Sequence, residues 1–394
     1  MTETSCYILD NGAYTAKVGF SSMEPKIVPN CIMKAKSERR RPFIGSQIDE
    51  CRDASGLFYI LPFQKGFLIN WDTQKTVWDY IFSKECCPVN FNETPLVITE
   101  PLFNFSSIQE AITEIFFEEY DCHSLLRINA TDLAEYKYRK EHNNQCTLVV
   151  DSGYSFTYIV PYIKGKKYRD AIRRIDVGGK VLTNHLKDII SYRQLNVMDE
   201  TYVINQVKED SCFVSQDFMK DMEIARKKGS ENTIVKDYVL PDYTAIRRGY
   251  LRDIVKPDED LEQQTLRMNN ERFSIPELLF HPSDVGIPQM GIPEAIINSI
   301  DACPEENKEN LLENIVLCGG NALFSGFRDR VYNEVRSLAL DHFDVNVTQA
   351  DNPLTYAWEG GKTMFRDPEF YSFCMTREEY EEEGKSLAFE RFDV

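Results

Sequence analysis

An α/β fold of two similar lobes facing one cleft is predicted by three features of this sequence. They are a strand–turn–strand unit that occurs twice, a glycine-rich turn ahead of a helix, and helices placed between and after them. The first unit is Ser5 to Phe20, where CYILD runs through Asn11-Gly12 into AYTAKVGF. Asn-Gly between two apolar runs signals a hairpin, because both residues tolerate the backbone of a tight turn. The second unit, Thr147 to Tyr162 (TLVVDSGYSFTYIVPY), repeats the order of apolar strand, aspartate, small polar residue, glycine and alternating strand.

Four helices follow from apolar spacing. Ser107-Ile108-Gln109-Glu110 reads as a capping box ahead of Ala111, Ile112, Ile115 and Phe116. Val181, Leu182, Leu186, Ile189 and Ile190 share one face of a helix from about Lys180 to Arg193, with Gly178-Gly179 just before it. Pro293 suits the first turn of a third helix, and Phe327 to Leu338 makes a fourth. Ile246 to Gln264 (IRRGYLRDIVKPDEDLEQQ) is densely charged with weak periodicity and reads as an exposed insertion.

Composition narrows the class of protein. With 394 residues and 42% hydrophobic content, the chain can bury sizeable cores. No apolar run reaches membrane-spanning length, and Thr2-Glu3-Thr4-Ser5 does not open a secretory leader. The 11 cysteines lack metal-ligand spacing, so reduced, buried thiols are expected. A net charge of −18 argues against extensive wrapping of DNA and suits a basic partner such as a histone. Basic clusters at Lys34–Arg41 and Lys164–Arg174 fit a surface patch or an import signal equally well.

The chemistry rests on the turns. Glycine lets backbone N–H groups approach phosphate oxygens with no β-carbon in the way. Asp10 and Asp151 could hold the waters of a magnesium ion, and Lys17 could reach a phosphate as a point charge. Val316-Leu317-Cys318-Gly319-Gly320-Asn321, ahead of a helix, offers bare backbone against which an adenosine could pack. Each element alone is common; the ordered trio is specific.

The trio resembles the two phosphate loops and the adenosine motif of the actin superfamily. The resemblance covers essentially the whole chain. It is carried further by Asn70-Trp71-Asp72 with Trp78, Ile98-Thr99-Glu100-Pro101, Asn270-Glu271-Arg272-Phe273, Gly291-Ile292-Pro293-Glu294, Trp358-Glu359-Gly360-Gly361 and Thr376-Arg377-Glu378-Glu379-Tyr380. It implies an actin-like bilobal α/β fold of duplicated ribonuclease H-like domains. Residues 1–137 with 333–394 would form one lobe and 138–332 the other. It also implies ATP or ADP with magnesium, or an empty cleft. Asp10, Gly12, Lys17, Asp151 and Gly153 would lie at the phosphates and metal. Gly179, Lys208, Glu209, Gly319, Gly320 and Leu323 would lie at the nucleoside.

Departures from the family pattern matter as much. Ala13-Tyr14 replaces a serine and glycine at the terminal phosphates, and Tyr154-Ser155 replaces an Asp-Gly pair. The residues that position the attacking water in actin align with Ala130 and Tyr158, neither a poised base, and an adenine-side lysine aligns with Leu354. Weak or absent hydrolysis is expected, with no catalytic residue assigned. The two tyrosines read as strand packing or as a platform for ligand. The loop that docks on the next actin subunit is shortened at Ser37–Gln47 and carries Arg39-Arg40-Arg41, which disfavours a self-polymer.

The stretches Gly56–Gly66, Met198–Asp210 and Tyr238–Asp242 resemble the sixth family of actin-related proteins. That resemblance implies a nuclear structural subunit of a chromatin remodeller of the Swr/SRCAP class, which exchanges a variant histone and is linked to heterochromatin and transcription. Its implied partners are a zinc-finger-bearing subunit, the remodeller ATPase, histones or nucleosomes, and a heterochromatin protein, with no membrane. The cytoplasm is a second possible location, and a cytoplasmic polymerising ATPase is the alternative function. The charged insertion and the acidic Glu381-Glu382-Glu383 are the candidate partner surfaces.

Overall fold

Two six-stranded sheets with the same pairing order organise the chain. In the first, Tyr7–Asn11 pairs antiparallel with Thr15–Phe20 and parallel with Leu96–Glu100, which pairs parallel with Ser124–Asn129. In the second, Cys146–Ser152 pairs antiparallel with Thr157–Ile163 and parallel with Ile315–Cys318, which pairs parallel with Val347–Gln349. The duplicated hairpin in the sequence is therefore the visible part of a duplicated sheet. Tyr7–Asn11, Leu96–Glu100 and Ile315–Cys318 are buried along their whole length, as parallel strands covered by helices on both faces require. This computed structural model describes residues 5–36, 41–53, 56–254 and 263–392.

Each sheet has its own core. Val18, Trp78, Ile98, Phe116 and Trp358 belong to the first; Leu148, Ile159, Leu186, Ile296 and Val335 belong to the second. Two helices, Ala130–His142 and Tyr356–Phe365, cross where the lobes join. Gly360 permits that crossing, since a β-carbon there would sit 2.0 Å from the Leu133 carbonyl oxygen. The Trp358 indole N–H donates to the Ile8 carbonyl oxygen at 3.1 Å and ties this helix to the first hairpin. Smaller three-stranded sheets stand over each lobe: Ile32–Lys34 with Pro42–Ile44 and Phe58–Ile60, and Lys236–Val239 with Tyr250–Arg252 and Thr265–Met268.

The helices expected near Lys180, Pro293 and Phe327 occur at Gly179–Arg193, Ile292–Asp301 and Phe327–Leu338. The capping box at Ser107 does not form. The helix starts one residue earlier, at Ser106, with Phe105 as its N-cap and no side-chain cap. The lobe boundaries also shift. Residue 333 lies within Phe327–Leu338, whose Val331 and Val335 pack into the second core, so the return to the first lobe comes after Gln349. Residue 137 likewise falls inside a crossing helix rather than at its edge. The insertion at 246–264 supplies the edge strand Tyr250–Arg252, while its residues 255–262 lie outside the described residues, as do 37–40 of the shortened loop. Ten of the 11 cysteines are free, buried thiols, and Cys51 is half-buried. Among the described residues, no helix is long and apolar enough to cross a membrane.

Candidate functional site

The three glycine turns converge on one cleft of about 470 Å³ between the lobes. Gly12 lies in the hairpin turn after Tyr7–Asn11, Gly153 in the turn after Cys146–Ser152, and Gly319-Gly320 after Ile315–Cys318. Asp10, Lys17, Asp151, Gly179, Lys208, Glu209 and Leu323 line the same cleft, so every residue expected at the nucleotide is brought to one place. The register explains this. Asp10 and Asp151 each sit near the C-terminal end of the strand that begins a hairpin, and Cα pairing sets Asp10 opposite Lys17 and Asp151 opposite Tyr158.

Close backbone approach fixes the loops. A β-carbon at Gly319, where φ is +88°, would lie 2.6 Å from Asp151 Oδ1 and 2.4 Å from the Ser152 carbonyl oxygen. The Gly153 carbonyl accepts from the Gly179 amide at 3.0 Å, and the Tyr154 carbonyl from the Lys180 amide at 2.9 Å, tying the second loop to a helix start. Asn321 Nδ2 donates to Ser152 Oγ and to the Gly153 carbonyl at 3.1 and 2.9 Å. Asn321→Ala is expected to cost about 1–2 kcal/mol in a denaturant titration, because both loop acceptors lose a buried donor.

Charge in the cleft is unbalanced. Lys17 Nζ lies 3.1 Å from Asp10 Oδ2, and Thr99 Oγ1 donates to Asp10 Oδ1 at 2.7 Å. Among the described residues, no comparable bond is made to the Asp151 carboxylate. Desolvation within the cleft, followed by repulsion from Asp10 and opposed by Lys17, pushes its carboxyl up to about 6. Burial likewise pushes up Glu100, whose carboxylate faces Arg127 at 3.2 Å. Lys208 is buried and its ammonium is pushed down by desolvation; it donates to Asn205 Oδ1 at 2.8 Å and Thr183 Oγ1 at 3.1 Å. The lining thus holds four carboxylates, Asp10, Glu100, Asp151 and Glu209, against the two lysines Lys17 and Lys208. A polyphosphate would meet net negative charge here unless a divalent cation came with it. The Asp10–Asp151 pair fits that cation through retained waters, and the glycine turns fit the phosphates.

The tyrosines sit in the turns rather than in strands. Tyr14 and Tyr154 stack on each other across the cleft, ring centroids 4.8 Å apart and planes 22° apart. Asn205 Nδ2 donates to the Tyr14 hydroxyl oxygen at 3.0 Å, and burial raises both phenols, Tyr154 to about 12. Ala130 and Tyr158 both line the cleft. Ala130 has no proton acceptor, and burial pushes the Tyr158 phenol up to about 12, so it stays protonated at neutral pH. Leu354 supplies an apolar wall beside Gly320, 3.9 Å from where a β-carbon would be.

A family model described as actin matches residues 1–393. The chain belongs to the actin family. Within the family it is 51% identical to actin-related protein 6 of Drosophila melanogaster, over 96% of this chain and 97% of that protein. It is 37% identical to the actin-like protein ARP6 of Yarrowia lipolytica, over 98% of this chain and 97% of the relative. Actin-related protein 6 of Arabidopsis thaliana is 34% identical over 98% of both chains. The chain is thus an actin-related protein of this branch, and actin-family folds generally hold a nucleotide with magnesium. For this actin-family member, sequence reasoning missed Thr99, Asn205 and Asn321 as fasteners of the cleft. All three lay inside quoted stretches, but nothing local marked Asn205 as a partner of Tyr14, which is remote in sequence.

Proposed function

We propose that this protein is a non-filamentous nuclear structural subunit of an ATP-dependent chromatin remodeller of the Swr/SRCAP class, which exchanges a variant histone. Its cleft holds ATP or ADP with magnesium as part of the fold rather than as fuel. The observation that carries this reading is the pairing of a retained Asp10–Asp151–Lys17 cluster with Ala130 and protonated Tyr158 at the water-positioning sites. Such a cleft can orient phosphates, while neither Ala130 nor Tyr158 can take a proton from water at those two positions. The net charge of −18 suits basic partners, histones among them. Asp10, Asp151 and Lys17 would bind the metal and phosphates, while Gly319, Gly320 and Leu323 would pack on the nucleoside.

Affinity purification from nuclear extract is expected to recover the remodeller ATPase and a zinc-finger-bearing subunit. Recovery of cytoskeletal proteins alone would reject the assignment. In a sedimentation assay with magnesium and ATP, the purified protein should stay in the supernatant and release little phosphate. A pellet with brisk phosphate release would instead favour a polymerising ATPase.

A further inference from the structure

Two of the stretches that set this branch apart from actin, Gly56–Gly66 and Met198–Asp210, lie on opposite lobes, and the structure brings them together over the outer side of the cleft. The Gly56 amide donates to both carboxylate oxygens of Glu200, at 3.0 and 2.9 Å. Tyr59 and Tyr202 approach with ring centroids 6.3 Å apart. Tyr202 also packs, with Tyr243, on a core of the first lobe made by Cys31, Met33, Phe43 and Leu57. Lys36 and Asp199 pair at 3.0 Å, but both are exposed, so this ion pair adds little. Just inside these contacts stands the Tyr14–Tyr154 stack, one ring from each lobe. The rings line both the nucleotide cleft and a separate outer chamber of about 280 Å³ walled by Leu57, Tyr59, Lys180 and Met198. The stack is therefore a partition, and the contacts outside it hold the two lobes together.

We propose that these segments form a built-in latch which keeps the cleft shut without help from a ligand, so that latch opening sets the rate at which the cleft is entered and left. The proposal rests on the reading of the cleft as a nucleotide site but not on nucleotide being bound. Every contact named joins protein to protein. A charge-assisted bond from a backbone amide and two aromatic contacts across lobes give the closed state its own stabilisation. Opening exposes the apolar faces of Tyr59, Tyr202 and Leu57 and leaves Glu200 without its donor. A nucleotide loaded behind such a latch is a long-lived structural element, in keeping with the proposed scaffold.

In nucleotide-free protein Cys318 reports on the latch, because this residue lines the cleft and is only 4% exposed. Alkylation by iodoacetamide under native conditions, read by peptide mass spectrometry, gives its access rate in the full-length protein. Glu200→Ala and Tyr59→Ala alter residues outside the cleft lining. Each is expected to speed Cys318 alkylation about tenfold, the size of effect that follows from losing one charge-assisted hydrogen bond or one aromatic contact. Glu200→Gln, which keeps one acceptor oxygen, should rise less. Cys146 and Cys303, buried in the second core away from the cleft, should not change. Equal Cys318 rates in wild type and variants would overturn the latch, and so would a rise of Cys146 in step with Cys318, since that reports general loosening. A second arm follows release of a fluorescent ADP analogue, expected to quicken by a similar factor in both variants. If the analogue fails to bind wild type while the Cys318 result holds, the nucleotide reading falls and the latch stands.

Discussion

Near neutral pH and without ligand, Asp151→Asn is expected to be more stable than the wild-type protein, and to lose nearly all of the stabilisation that magnesium nucleotide gives the wild type. The two signs come from one cause. In the folded chain the Asp151 carboxyl is pushed from its ordinary 3.8 up to about 6, by desolvation first and by Asp10 second. Between those values the folded state holds a proton that the unfolded state has released, so folding loses stability as pH rises through this window. The loss is at most about 3 kcal/mol and is complete above the folded value. Asparagine has nearly the same shape and no charge, which removes the penalty. The gap between variant and wild type in a thermal melt should therefore close as pH falls from 7 towards 4. Magnesium reverses the preference, because the cation favours the charged carboxylate. Nucleotide at a hundredfold excess over its dissociation constant should stabilise wild type by about 2.7 kcal/mol. The variant should show little of that shift. A destabilised ligand-free variant, or one that responds to nucleotide as wild type does, would show that Asp151 is not the strained carboxylate of the cleft.

Gly360→Ala is expected to destabilise the protein by about 3 kcal/mol or more, with much of it insoluble on expression. The added β-carbon would sit 2.0 Å from the Leu133 carbonyl oxygen and 3.0 Å from the Leu133 β-carbon. Backbone cannot rotate away as a flexible side chain can, so the helices Ala130–His142 and Tyr356–Phe365 must separate. The first of these begins at the cleft, and Asn129, Ala130 and Thr131 line it. Separation should thus lower nucleotide affinity as well as stability, which a ligand titration of any soluble fraction would read. The neighbouring Gly361, whose β-carbon would meet only the Ile8 side chain at 3.0–3.4 Å, should tolerate alanine far better.

The cleft was legible in the sequence because its chemistry sits at strand ends. Asp10 and Asp151 follow apolar runs whose burial on both faces leaves little freedom in register, and the glycines after them mark where backbone must turn. The wider resemblance added Gly179, Lys208, Glu209 and Leu323, residues on helices that no local pattern ties to a phosphate. Contacts made by residues far apart in sequence were not legible. Tyr14 and Tyr154 each look like strand packing alone, and only the apposition of two turns turns them into a stacked pair. Glu200 gave no hint of its partner, a backbone amide in the other lobe. The return to the first lobe was misplaced because Val331 and Val335 form an apolar stripe that would suit either core. The Ser107 capping pattern failed by one residue, with Ser106 already inside the helix.

One consequence of the sheet order concerns how the chain is made. The second sheet draws its strands from residues 146 to 349, an unbroken stretch, whereas the first takes an edge strand from Met375–Thr376. The first core also needs Trp358, Phe370 and Phe392 from the last part of the chain. During synthesis the stretch from 146 to 349 can finish packing while the hairpin Tyr7–Phe20 waits, its apolar faces uncovered until Trp358, Phe370 and Phe392 have left the ribosome. Truncating the chain after about residue 350 should therefore leave one lobe able to fold and the other exposed to chaperones.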